Sequence, residues 1–133
     1  MTPQHPRPTE IKLHQHSRVL EISYDDGARF ELPGEFLRVY SPSAEVRGHF
    51  PGEEKLQIGK EGVGIKDIQP VGQYAIKIIF DDGHQSGLYD WRYLYFLGQE
   101  WRELWSRYLA RLDAAGVQRR APDPFEGLGS GST

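Results

Sequence analysis

Apolar and polar residues alternate along two stretches of the chain, Leu20-Glu-Ile-Ser-Tyr24 and Ile76-Lys-Ile-Ile-Phe80, and both run straight into Asp-Asp-Gly. Successive side chains of an extended segment point to opposite faces. Leu20, Ile22 and Tyr24 therefore share one face, as do Ile76, Ile78 and Phe80. Asp and Gly tolerate the positive φ that tight hairpin turns require, so each Asp-Asp-Gly predicts a reversal. A second extended run follows each turn, Ala28 to Leu32 or His84 to Leu88, and then a short stretch with a paired leucine and aromatic (Phe36-Leu37, Tyr93-Leu94). The two segments are offset by 56 residues, which predicts a repeated hairpin-then-helix unit. Ala75 and Ile79 make the second face of the later strand largely apolar as well, so Tyr74–Phe80 is predicted to lie inside its sheet.

The remaining pattern fills in a small α+β domain. Glu10–Leu13 and Arg18–Tyr24 read as strands, Pro33-Gly34-Glu35 breaks the sheet, and Phe36–Tyr40 predicts a short helical turn. Residues 41–64 are rich in Gly and Pro and predict irregular chain, with another strand over Gly62–Ile68. Trp101, Leu104, Trp105, Tyr108, Leu109 and Leu112 recur at helical spacing and predict one amphipathic C-terminal helix, with Gly116 at its C-terminal cap. Gly98 divides it from a shorter helix that Asp90 is placed to cap. Residues 1–8, with three Pro, read as a flexible lead-in. Residues 117–133, Pro-rich and then Gly/Ser-rich, read as a disordered tail, because such composition buries too little apolar surface to offset chain entropy. The folded unit is thus expected over 9–116, a single domain of two repeated β-hairpin units, short helical segments and one C-terminal amphipathic helix.

Composition narrows the functional classes. In 133 residues the formal net charge is −3, and Lys and Arg are scattered, which argues against a nucleic-acid binder with a clustered basic face. There is no Cys, which removes disulfides, thiolate metal sites and cysteine nucleophiles together. No stretch approaches the ~20 apolar residues of a membrane span, and the N-terminal Met-Thr-Pro-Gln-His-Pro-Arg-Pro lacks an apolar signal region, so a soluble cytoplasmic protein is expected.

No reaction is legible. His14 and His16 would share a strand face, but two alternating histidines make a metal site only when further ligands converge; a solvated edge is the better reading. His5 lies in the lead-in, and His49 in a Gly/Pro-rich loop. Gly59-Lys-Glu-Gly-Val-Gly64 lacks both the spacing and the Lys-Ser/Thr end of a phosphate-binding loop. There is no Gly-x-Ser-x-Gly elbow and no His-Glu-x-x-His. The carboxylate pairs Asp25-Asp26 and Asp81-Asp82 belong to turns. His84 stands out by its neighbourhood, Asp81-Asp-Gly-His-Gln-Ser-Gly-Leu-Tyr-Asp-Trp91.

That neighbourhood, extended to Pro70-Val-Gly-Gln-Tyr-Ala-Ile-Lys-Ile-Ile-Phe-Asp-Asp-Gly-His-Gln-Ser-Gly-Leu-Tyr-Asp-Trp-Arg-Tyr-Leu94, resembles the small domain at the N-terminus of gamma-butyrobetaine hydroxylase. The same domain also occurs as a stand-alone bacterial protein of unknown function, the group called DUF971. Leu37-Arg-Val-Tyr-Ser-Pro-Ser-Ala-Glu-Val46 resembles the family's second signature, and the resemblance spans about residues 9–100. In hydroxylase relatives the domain holds a structural zinc through a Cys-Pro-Cys-x-x-Cys run and the His of the Asp-Gly-His turn. By that resemblance the cysteine positions are Ser41, Ser43 and Val46 here, with His84 at the histidine position. A neutral hydroxyl is a poor zinc ligand and valine offers no donor, so no bound zinc and no cofactor are expected.

The iron and 2-oxoglutarate chemistry of the hydroxylase belongs to a separate, larger domain that this chain cannot contain. The family also occurs fused to P-loop ATPases of the iron–sulfur carrier type. Both contexts imply a non-catalytic accessory or protein-interaction module, with an iron–sulfur carrier ATPase or an oxygenase as partner. Contact is expected around Ser41–His49 and His84–Tyr93, with Tyr40, His49, His84, Tyr89 and Trp91 as candidate interaction residues; exposure of Tyr40, Tyr89, Trp91 or Tyr95 would support this, and the alternative is that all four are core, with Trp91 expected there. The competing expectation is a metal-binding or iron–sulfur assembly accessory, which would use His84 with Asp81, Asp82 or His49, or a partner's thiolates. A small enzyme whose pocket carries no recognisable motif is the third.

Overall fold

A computed structural model describes residues 5–48 and 54–128. Two three-stranded antiparallel sheets carry the two repeats. β1 (Pro8–His14), β2 (Val19–Tyr24) and β3 (Arg29–Pro33) form the first sheet, in that spatial order, and lead into α1 (Gly34–Val39). After the short α2 (Ala44–Arg47), β4 (Ile65–Val71), β5 (Ala75–Phe80) and β6 (Leu88–Asp90) form the second sheet. It leads into α3 (Trp91–Gln99) and then α4 (Trp101–Ala114). The two strands with the strongest alternation, β2 and β5, are the central ones.

The two Asp-Asp-Gly turns match bond for bond. Tyr24 N–H donates to Ala28 O at 2.8 Å and Phe80 N–H to His84 O at 3.0 Å. Gly27 (φ 91°) and Gly83 (φ 92°) each return their N–H to the aromatic residue three positions back. The second aspartate of each pair closes the turn, Asp26 Oδ1 accepting from Ala28 N–H at 2.9 Å and Asp82 Oδ1 from His84 N–H at 3.1 Å. A carboxylate that accepts from the backbone two residues on is the mechanism by which Asp favours such turns.

Beyond the turns the repeats diverge by one residue. In the first unit Leu20 pairs with Leu32; in the second Ile76 pairs with Tyr89 rather than with Leu88. The extended run expected over His84–Leu88 is therefore corrected: the strand is Leu88–Asp90, and the chain from Gln85 to Gly87 loops away from the sheet. Because side chains alternate, the slip buries Tyr89 completely and leaves Leu88 53% exposed.

One hydrophobic core joins both units. Leu20, Ile22 and Tyr24 of β2 and Ile76, Ile78 and Phe80 of β5 pack together with Phe36 and Leu37 of α1, Leu94 and Leu97 of α3, and Leu104, Trp105, Tyr108 and Leu112 of α4. Leu109 of the expected stripe is an exception and lies at the surface. Tyrosine hydroxyls bind the units to each other: Tyr24 donates to Trp91 O and Tyr89 to Leu37 O, at 2.8 and 2.6 Å. Asp90 caps α3 by accepting from Tyr93 N–H at 2.7 Å. At the end of α4, Gly116 (φ 72°) bonds back to Asp113 O and Val117 to Leu112 O, the paired closure of a helix ending in a left-handed residue.

Two expected boundaries are corrected. Arg7 is held on both its N–H and carbonyl by Asp25, and β1 begins at Pro8, so the last residues of the lead-in belong to the sheet edge. Residues 117–128 are not a free tail either. Val117 and Phe125 pack on the core, and Arg119 forms an ion pair with buried Glu35. Composition missed this because a few well-placed anchors, not a periodic stripe, hold the segment.

Gly98 shows how closely the layers meet. A Cβ there would lie 2.3–2.6 Å from the ring of Phe30, which is wedged edge-on between Tyr24 and Tyr95. Gly98→Ala is expected to destabilise the domain by about 1–3 kcal/mol through overpacking, despite alanine's better helix propensity. Chemical denaturation of the variant measures it, and an unchanged or raised midpoint would contradict this packing.

Candidate functional site

Residues 41, 43 and 84 meet between the repeats. Pro42 and Ser43 turn the chain out of α1 into α2, with Ser43 Oγ accepting from Glu45 N–H at 3.2 Å as the N-cap of that short helix. The Asp-Asp-Gly turn of the second unit delivers His84 to the same place. Its Nε2 lies 2.8 Å from Ser41 Oγ, and its Nδ1 lies 3.5 Å from a carboxylate oxygen of Glu45. Ser43 Oγ lies 2.7 Å from Ser86 Oγ, which donates to Glu45 Oε1 at 3.2 Å. Val46 is buried alongside, and Ser41 is 1% exposed. The loop from Gln85 to Gly87, the extra residue of the second repeat, is what brings Ser86 across to Ser43.

The carboxylate at Nδ1 favours one protonation pattern. A carboxylate can only accept, so Glu45 favours the imidazole proton on Nδ1, and Nε2 then accepts from the Ser41 hydroxyl, whose oxygen also accepts from Ser43 N–H at 3.2 Å. Burial, and then the nearby Arg38 guanidinium, hold the His84 pKa below its ordinary value. Glu45 pulls the other way, but its side chain is largely exposed and solvent screens it. Below His84, Asp82 is gripped by Arg38 at 2.8 Å and Lys60 at 3.1 Å. Burial alone would raise its pKa; the His84 backbone N–H and the two cations outweigh that and hold it at about 2.

A serine, a histidine and a carboxylate in this order resemble a nucleophilic triad, but the arrangement is closed to a substrate. Gly87 approaches so tightly that a Cβ there would sit 2.5 Å from Ser41 Oγ and 3.0 Å from Pro42 Cδ. No acyl carbon can reach an oxygen walled in by Pro42 and the Gly87 backbone and already accepting an N–H.

The donor set also fails to fit zinc. A tetrahedral structural site needs thiolates or imidazoles, and the four positions supply two hydroxyls, one imidazole and a valine. Among the described residues no three His, Cys, Asp or Glu converge as metal ligands. Asp82 is committed to Arg38 and Lys60, and Asp81 Oδ1 accepts from Gly64 N–H at 3.0 Å. His49 lies outside the described residues.

The remaining expected contact residues scatter. Tyr89 is fully buried and His84 nearly so, which corrects their reading as contact residues. Tyr40 is half-buried, its hydroxyl donating to Leu104 O. Trp91 is half-buried at the other end of β5, its indole donating to Gln73 O at 2.8 Å. A six-residue strand, about 17–20 Å, separates that end from His84. Tyr95, on α3, donates to Asp26 in the first unit's turn. Glu45 and Ser86 were not foreseen as part of the cluster. A weak signal for Glu45 lay in Ser43-Ala-Glu45, the start of a capped helix.

Two outcomes follow. With its folded pKa lowered, His84 contributes stability that is complete above about 6.5, its ordinary value, and is lost as pH falls toward the folded value. His84→Gln, which keeps a hydrogen-bonding group toward Ser41, is expected to flatten that decline; denaturation midpoints across pH 5–8 would show an unchanged slope if the reading is wrong. Protein purified without chelator is expected to contain no stoichiometric zinc by elemental analysis. The Ser41→Cys, Ser43→Cys, Val46→Cys triple variant is expected to gain close to one ion per chain.

A protein-family model described as gamma-butyrobetaine hydroxylase-like, N-terminal, matches residues 11–95. A solution structure determined by NMR is 48% identical, with a TM-score of 0.75 over 94% of this chain and 96% of its own. A second NMR structure is 53% identical, with a TM-score of 0.74 over 90% of each chain. The crystal structure of a protein of unknown function of the DUF971 family from Acidithiobacillus ferrooxidans is 37% identical, with a TM-score of 0.58 over 68% of this chain and 91% of its own. Comparison with curated proteins yields no match. The chain belongs to the gamma-butyrobetaine hydroxylase-like N-terminal domain family.

Proposed function

We propose that this protein is a non-catalytic accessory module that works by protein contact in the cytoplasm. The observation that carries the reading is the closed Ser41–His84 pair: two of the positions that resemble a metal cage are joined by a short neutral hydrogen bond, out of reach of solvent and substrate. A buried network of this kind makes a rigid support, because each polar group is satisfied and none is free to react. No helix among the described residues is long and apolar enough to cross a membrane.

The contact face we assign lies over that support. Glu45, Gln85, Ser86 and Leu88 are exposed there, and Leu88 is a large apolar side chain on the edge strand of the second sheet. Tyr93, with the Arg47 guanidinium 4.9 Å above its ring, borders it. An exposed apolar residue with a polar rim on a firm base suits a protein partner. Family context suggests an iron–sulfur carrier ATPase or an oxygenase.

Titration of the isotope-labelled chain with the iron–sulfur carrier ATPase of the same organism tests the assignment. Resonances of residues 43–47 and 85–93 are expected to shift, and Leu88→Asp is expected to weaken binding about tenfold or more, the cost of about 1.4 kcal/mol typical of losing an anchoring contact. Shifts confined to another face, or none with either partner class, would remove this surface from consideration.

A further inference from the structure

The segment 117–128 lies outside the matched family region and is held against the domain by two side chains six residues apart. Arg119 pairs with both carboxylate oxygens of Glu35, donates to Ala121 O and Pro122 O, and lies 5.4 Å from the ring centre of Trp105. Phe125 stacks on Trp101, with ring centres 4.1 Å apart, and meets Phe36 and Trp105 edge-on at 5.2 and 5.6 Å. Between these anchors the chain has neither helix nor strand.

Three features of the underlying groove, between α1 and α4, exceed what an inert tail would need. Glu35 is 3% exposed, and a buried carboxylate without a cation is strongly unfavourable, so the groove demands a positive charge. Trp105, whose ring meets both Phe125 and Arg119, has a buried indole N–H with no acceptor among the described residues. Where the groove continues past α1 toward Arg18 and Glu61, away from α4, a cavity of about 230 Å³ also remains between residues 119–124 and the domain. The fit is specific in its anchors and incomplete between them.

We propose that the α1–α4 groove is a docking site for an extended partner segment carrying an arginine followed, six residues on, by an aromatic, and that residues 117–128 fill it in cis as a displaceable strap. The chemistry of the occupant is read directly from the one in place. A guanidinium answers Glu35, a ring fills the box of Phe36, Trp101 and Trp105, and backbone carbonyls are available to a better-fitting chain. Gly116, in the left-handed region at the end of α4, is the point from which the strap departs. This site is separate from the Ser41–His84 face and does not depend on it.

The test uses a labelled peptide of residues 117–128, titrated into the full chain and into the full chain carrying Arg119→Ala and Phe125→Ala. One peptide is expected to bind per variant chain, about tenfold or more tighter than to the unaltered chain, because a tethered segment competes at roughly millimolar effective concentration. A peptide lacking the arginine and the phenylalanine is expected not to bind. Equal affinity for the two chains, or no binding to a variant that keeps its helices and cooperative unfolding, overturns the proposal. Should the variant fail to fold, hydrogen exchange on the unaltered chain decides. Amides 118–121 and 125–127 opening ahead of those in α1 and α4 support the strap, and exchange only through global unfolding overturns it. A concentration-dependent dimer of the unaltered chain, lost in Phe125→Ala, would overturn the partner assignment in favour of a second copy's segment.

Discussion

The hydrogen bond between Ser41 and His84 joins the end of the first repeat to the turn of the second, and the arrangement of this region depends on it. It draws the chain after α1 down onto the loop after β5, sets the entry of α2 through Ser43, and leaves Gly87 pressed against the serine oxygen. The bond is made between neutral groups in a dry place, where it is electrostatically stronger than in water and where an unpaired partner would be costly. Burial and Arg38 keep the imidazole neutral, which is also the state that can accept the serine proton. Geometry and protonation thus support each other.

Much of the scaffold could be read from the residues because local and global signals agree in it. The Asp-Asp-Gly turns, the central positions of β2 and β5, the cap at Asp90 and the glycine closure at Gly116 each follow from a short pattern with a definite cause. The site was less legible. Ser41, Ser43, Val46 and His84 were placed together by resemblance, but the single-residue slip that buries Tyr89, exposes Leu88 and brings Ser86 to Ser43 has no periodic signature. Trp91 is close to His84 in sequence and a strand's length away in space, since the chain between them runs along the sheet. The order of the segment after Gly116 is hidden for a related reason: it comes from Glu35 and Trp101, more than twenty residues from Phe125 in the chain, and composition does not register such partners.

The two surfaces assigned to partners differ in their footing: one lies over a closed hydrogen-bonded cluster, the other over a groove whose present occupant leaves a cavity of about 230 Å³. One sits on the neutral cluster between the repeats, within the region shared with the family; the other lies on the C-terminal addition of α4 and its strap. A domain that retains its shape while the ligands of a metal site are replaced must obtain the lost cohesion elsewhere. Here the tyrosine bonds between the units and the Arg38–Asp82–Lys60 cluster hold the two repeats together.

The state of the His84 ring examines the central claim most directly. Nitrogen-15 NMR of the imidazole, followed through a pH titration with and without added zinc, reports its tautomer, its pKa and any metal bond. The account requires a neutral ring protonated at Nδ1, titrating below the ordinary histidine value and indifferent to zinc. A ring that titrates at or above that value, or whose Nε2 signal moves on stoichiometric zinc, would show that the cage still binds its ion and that the hydrogen-bonded cluster is not its replacement.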